Sequence, residues 1–301
     1  MMLSAHGHHP LHATEAAATE WLLPAAAFAV LTGGYFVLLL RRNLVLQRSW
    51  SPWRGLSWLM GALLIATALS PAVESGQPMA GHLQHSAGAH MLQHLLLGML
   101  GPLFLVLAAP ITVLLGAAGP RTRRVLGRAL RSAAVHVLGH PVTAAVLHIA
   151  PLFLLYLTPL YPAVMSNPAL HALLNLHFLL AGCLYTWSLA GADPAPRRPG
   201  IIARAGVLIL SAGLHAWLAT LIYARAHTLP AAQLHSPEDL QAAAQLMYYG
   251  GDAVELALAV AMFAGWYRHR QRRVRRADRV RPVSVSKKEK FDVFPSQVHL
   301  R

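Results

Sequence analysis

A chain of 301 residues that is 55% hydrophobic and only 12% charged has too little polar surface for a soluble globular protein of this size. Its net charge of +14 would point to nucleic acid in a soluble protein. Here the basic residues sit in short loops between apolar runs, so the charge reads as a topological signal and nucleic acid is not expected as a partner. The single cysteine, Cys183, excludes an internal disulfide and any Cys-x-x-Cys pair, so a metal would be held by nitrogen, oxygen or thioether ligands.

Residues 1–19 form a short tail carrying His6, His8, His9 and His12. Seven apolar runs follow, each about the ~20 residues that a spanning helix needs: 21–40, 53–70, 91–117, 142–158, 169–190, 201–223 and 243–267. The predicted fold is therefore an all-α integral membrane protein, a seven-transmembrane helix bundle over residues 20–267 with a basic tail over 268–301. No basic segment and small-residue cleavage site flank the first run, so it is expected to remain as a helix. The third run contains Pro102 and Pro110 and should kink. Gly98 and Gly101 there, and Gly206 and Gly213 in the sixth run, would allow close helix packing.

The loops alternate in charge. Arg41, Arg42, Arg48 and Arg54 follow the first run; Arg121, Arg123, Arg124, Arg128 and Arg131 the third; Arg197, Arg198 and Arg204 the fifth. The tail carries nearly all the rest, and of the 25 Lys and Arg residues only Arg225 falls in the other set of loops. The positive-inside rule then predicts an N-terminus outside and a cytoplasmic C-terminus, with the arginines against anionic membrane lipid. The absence of an internal repeat argues against an inverted-repeat transporter.

Function begins with the histidines, of which there are 18. Counting ~1.5 Å per residue from the outer end of each run, His94 lies roughly 5–9 Å deep, His177 about 12–14 Å, Asp252 about 14 Å, and His148 and His215 about 15 Å. His171 lies only ~4 Å down. Five helices thus bring a His or Asp to the outer half of the membrane, where an ionisable group is costly without a partner or a task. His90 and His94 share a helical face at i, i+4, and Asp252 neighbours Glu255 at i, i+3. Each histidine alone reads equally as a packing group bonded to a carbonyl; the matched depth favours a shared polar site. Imidazole suits copper, zinc, iron and nickel. Met91, Met99 and Met247 would add thioether sulfur, or else serve as core filler. The tail histidines, with His82 and His85, read either as metal capture or as solvated linkers.

Several segments resemble the CtaG family of cytochrome c oxidase assembly factors, in its multi-pass form. They are HMLQHLLLGMLGPLFLVLAAP at 90–110, HPVTAAVLHIAPLFLLYLTPLY at 140–161, HALLNLHFLLAGCLYTW at 171–187, LHAWLATLIY at 214–223 and MYYGGDAVEL at 247–256. The matching positions are His94, His148, His177, His215 and Asp252; Ala253 departs from the Gln often found after the Asp. The resemblance implies a role in oxidase biogenesis at the bacterial cytoplasmic (inner) membrane, with copper handled on its outer side.

The leading expectation is a non-enzymatic assembly factor that binds or delivers copper. Its ligands would be His94, His148 and His215, with His177 and Asp252 as further ligands or supporting groups. His90, His171, Glu255, Met91 and Met247 are accessory candidates, and His6, His8, His9, His12, His82 and His85 capture candidates. Partners would be cytochrome c oxidase subunits and a copper ion or copper chaperone. The alternatives are a haem-binding membrane protein, a metal-free scaffold for oxidase subunits, or a proton or metal transporter. No phosphate loop, nucleophile elbow or zincin helix is present, so no catalytic residue is expected.

Overall fold

The structure, a computed structural model, describes residues 21–47, 49–74, 86–195 and 198–280. The tail histidines, His82, His85, Arg48, Arg197 and residues 281–301 lie outside the described residues. All regular structure among the described residues is helical: α1 Leu22–Leu46, α2 Pro52–Ala68, α3 Ala87–Leu107, α4 Pro110–Ala117, α5 Pro120–Leu130, α6 Ala133–Leu138, α7 Pro141–Leu157, α8 Leu160–Met165, α9 Pro168–Ala190, α10 Ile201–Ala224 and α11 Pro237–Val280. Single turns at Pro71–Glu74 and Pro230–Gln233 join longer elements. The described residues up to Gly265 pack as one unit, and those from Trp266 onward form a second.

Helix occupies each of the seven apolar runs, and five helices are long and apolar enough to cross a membrane: α1, α3, α9, α10 and α11. The other two, α2 and α7, have 17 residues each, about 26 Å of helix against a hydrocarbon core of roughly 30 Å. The apolar window of α3 is 72% buried and that of α1 only 11%, so α3 is the central helix and α1 lies at the periphery. Around α3, α2 and α9 pack directly, and α9 in turn meets α7, which packs on α10.

Proline sets where these helices begin. Pro52, Pro110, Pro120, Pro141 and Pro168 each stand in a first helical turn, where a missing N–H costs nothing. Ser86 caps α3 by accepting from the Ala89 amide (3.0 Å), and Asn167 caps α9 by accepting from Ala169 and Leu170. The third run is shorter than the sequence suggests. It ends at Leu107, where Ala109 turns left-handed (φ 57°) and Pro110 opens a separate helix rather than kinking one. The Asp193 carboxylate holds that new start, accepting from the amides of Ile111 (3.1 Å) and Thr112 (2.7 Å) and the Thr112 hydroxyl (2.6 Å).

Pro102 is absorbed differently. It cannot donate to the Gly98 carbonyl, and α3 opens into a π-helical turn at Leu95–Leu100, with the Gly101 amide reaching back to the Leu96 carbonyl. The turn begins immediately after His94. The Gly98 carbonyl lies so close to Gly182 of α9 that a Cβ there would overlap its oxygen. Gly98 and Gly101 therefore mark close packing, as expected. Gly206 and Gly213 do not: a Cβ on either meets nothing within 4 Å. Gly182→Ala should therefore destabilise by about 1–3 kcal/mol, the usual cost of overpacking. Gly206→Ala should be neutral or slightly stabilising, by less than about 1 kcal/mol. Unfolding of the two variants in detergent, beside the parent, separates these outcomes.

Candidate metal centre

The histidines on α3, α7 and α10 face inward. His94 is 2% exposed, His148 2% and His215 0%, and Glu255 on α11 is 6% exposed. The ring centroids of His94 and His215 are 6.2 Å apart, and Glu255 Oε1 lies 4.0 Å from His215 Nδ1. Phe178 meets His94 edge-on at 4.7 Å, and Gly251 lies so close to the His215 ring that any side chain would collide with it. His148 stacks on Tyr185 at 4.8 Å, and the Tyr185 hydroxyl bonds the Ser211 hydroxyl of α10. His148, Tyr185 and Glu255 line one small cavity with Gly98, Met99 and Leu103.

Hydrogen bonding separates these residues. Both ring nitrogens of His94 and of His215, Nδ1 of His148 and Oε2 of Glu255 are buried with no hydrogen-bond partner among the described residues. A buried polar group left unpaired costs about 1–3 kcal/mol, and hydrocarbon supplies no replacement. His177 differs. Pro151 sits inside α7 and leaves the Leu147 carbonyl without its helical donor, and His177 Nε2 donates to that oxygen at 3.1 Å. His177 is half-buried and repairs the helix that carries His148.

The carboxylates are placed by the face of α11. Met247, Gly251, Glu255, Leu258 and Met262 form its buried stripe at i, i+4 and i+3 spacing. Asp252 stands one residue around from Gly251 and is exposed, on the face of Tyr248. Asp252, singled out by its depth along the run, therefore lies on the exposed face of α11, and the buried carboxylate of that helix is Glu255. Met247 and Met91 are fully buried in the apolar core, where the Tyr156 hydroxyl lies 4.0 Å from the Met91 sulfur. Among the described residues, no three His, Cys, Asp or Glu side chains converge tightly enough to hold one ion. The histidines come as pairs.

The second pair is His90 and His171, with centroids 5.9 Å apart, one helical turn from His94 along α3. Sequence reasoning missed the residues around it. Tyr161 Oη is 2.9 Å from His235 Nε2, and His235 Nδ1 is 3.3 Å from Asp239 Oδ2, which also accepts from the Ala87 amide at 2.8 Å. A carboxylate only accepts, so Nδ1 carries the proton and Tyr161 donates to Nε2. Burial, then the charge of Asp239, raise the Tyr161 phenol above its ordinary pKa and keep it a neutral donor. Ser236-Pro237 with Asp239 is a helix-start pattern that would have placed this carboxylate at the head of α11.

The fold and site together define a helical membrane protein with paired histidines on its central helix. The chain belongs to the cytochrome c oxidase caa3 assembly factor family, Caa3_CtaG, whose profile matches residues 33–269. It is similar to uncharacterized proteins of Mycobacterium bovis and Mycobacterium tuberculosis, each 33% identical over 220 residues, covering 69% of this chain and 32% of theirs. An uncharacterized protein of Mycobacterium leprae is 30% identical over 249 residues, covering 77% and 37%. The chain thus spans about a third of the length of these relatives. No solved structure matches it.

The Pro151–His177 pairing makes a quantitative prediction. His177→Leu should cost about 0.5–1.5 kcal/mol in the parent, the range of interhelical hydrogen bonds in membranes. It should cost less once Pro151→Ala restores the helical donor to Leu147. A double-mutant cycle measured by unfolding in detergent reads that coupling, and equal costs in both backgrounds would contradict it.

Proposed function

We propose that this chain serves cytochrome c oxidase assembly as a multi-pass protein of the bacterial cytoplasmic membrane. Its seven spans place the N-terminus outside and the C-terminus in the cytoplasm, and it holds a copper(I) ion between His94 and His215. The family supplies the oxidase as client. The observation that carries the copper reading is the set of buried ring nitrogens without partners on two facing helices. Two imidazoles sharing one ion hold their centroids roughly 5–6.3 Å apart, from a tetrahedral to a linear arrangement, because each metal–nitrogen bond is about 2 Å. The 6.2 Å of His94 and His215 is close to the upper end of that range.

Pairs rather than triads suit an ion content with few ligands, as copper(I) is, and not tetrahedral zinc. His148 and Glu255 flank the pair. Glu255, beside His215, would fix the orientation of that imidazole and balance the charge of the ion. Oxidase subunits and a copper ion or its chaperone are the partners, and the role is binding and hand-off without catalysis. The topology rests on the arginine asymmetry, to which the structure adds a second use: Arg198 and Arg204 donate to the carbonyls of Trp187, Gly191 and Leu189 where α9 ends.

Elemental analysis of the purified full chain after anaerobic copper(I) loading tests the reading. His94→Gln with His215→Gln should remove about one copper per chain and lower oxidase activity in cells that depend on this protein. Unchanged copper in that variant would overturn the site. Iron near one per chain with a Soret band would replace it by haem, and no metal after loading would leave a scaffold.

A further inference from the structure

The inner pair accounts for His94 and His215 but not for the cavity at the other end of the His90–His94 face. That cavity has a volume of about 270 Å³ and is lined by His90, Gln93, Tyr161, Met165, His171 and His235. A water occupies roughly 30 Å³, so the space admits an ion that still carries part of its hydration shell. His90 is 8% exposed, and neither of its ring nitrogens has a hydrogen-bond partner among the described residues.

The surrounding bonds prepare His171 as a ligand. Gln93 is 3% exposed and its amide nitrogen donates to the Ala68 carbonyl at 3.0 Å, which fixes the amide orientation. The Gln93 oxygen therefore accepts from His171 Nε2 at 3.1 Å, and His171 Nδ1 keeps the lone pair. A histidine that donates one ring N–H to a fixed oxygen is the usual support of a metal-binding imidazole. The 5.9 Å between the His90 and His171 centroids falls within the span of two imidazoles on one ion. Met165 lines the same space and supplies a thioether, which selects copper(I) over hard or borderline cations. His235 has both nitrogens engaged, with Tyr161 and Asp239, and closes the wall rather than joining the ligands.

We propose that this vestibule is a second, separately loadable copper(I) site formed by His90, His171 and Met165, one helical turn from the inner pair. The identity of the ion rests on the copper reading above; the place of the site rests on the vestibule's own geometry. His90 and His94 stand on one face at i, i+4, about 6 Å apart, so the two sites are neighbouring stations along α3.

The test counts copper(I) per full-length chain after anaerobic loading and desalting. His6, His8, His9, His12, His82 and His85 are changed to Gln in every arm, so that these capture candidates contribute nothing. The parent should hold two ions. His90→Gln with His171→Gln should hold one, His94→Gln with His215→Gln should hold one, and the quadruple variant none. Met165→Leu, a swap that a half-buried site tolerates, should weaken the vestibule ion at least ten-fold for copper(I). His171→Met alone, which keeps a soft ligand beside His90 and Met165, should retain two ions. Two ions retained by the His90, His171 double variant, or no effect of Met165→Leu, overturns the vestibule site. Loss confined to that pair, with the His94, His215 variant unchanged, overturns the inner site and leaves the vestibule standing.

Discussion

The structure depends on one constraint: inside a bilayer, a polar group has no water to fall back on and must find its partner in the protein. Nearly every irregularity of this bundle is a response to it. Pro151 frees a carbonyl, and His177 reaches across from α9 to donate to it. Pro102 removes a donor, and α3 widens into a π turn whose bonds run to Leu96. Pro110 and Ala109 break a helix, and the Asp193 carboxylate takes up the amides exposed by the break. Where α9 ends, arginine guanidinium groups serve its last carbonyls. Against that background, both ring nitrogens of His90, His94 and His215 are buried with no hydrogen-bond partner among the described residues.

The position of those imidazoles follows from α3. Its central place puts His90 and His94 within reach of α9 and α10, and the π turn begins directly after His94. Gly98, Gly182 and Gly251 then bring backbone close to the rings and to one another, leaving little room for larger side chains. Apolar residues close the remaining sides: Phe178 lies against His94, and Leu152, Leu155 and Met247 belong to the fully buried core nearby. The pair of imidazoles is thus walled on several sides by backbone and apolar side chains.

Much of this was legible in the sequence, and what was not has identifiable causes. The apolar runs located every long helix, because hydrocarbon demands a minimum length of apolar sequence. Helix ends were less visible. The third run reads straight through Ala109 because alanine carries no turn signal, and the last helix runs on past Tyr267 because Arg and Gln are good helix formers. Depth along an axis can be counted from spacing, and it drew attention to His94, His148 and His215, which are buried. Azimuth cannot be counted that way. Asp252 and Glu255 differ by three residues, and only the stripe from Met247 through Gly251 to Met262 tells which of them faces inward. Gly206 and Gly213 fail as packing marks for the same reason, since a glycine count does not name the face. His235 and Asp239 went unnoticed because they lie outside the apolar runs, where a charged residue is ordinary.

The central claim is that the buried imidazoles of His94 and His215 are ligands to copper(I). Copper K-edge X-ray absorption of the loaded chain, with the vestibule pair His90 and His171 replaced by Gln, tests it most directly. The account predicts a low-coordinate copper(I) edge with outer-shell scattering from two imidazole rings, lost when His94 and His215 are replaced as well. Copper surrounded only by light-atom scattering without imidazole, or a spectrum unchanged by those replacements, would contradict it.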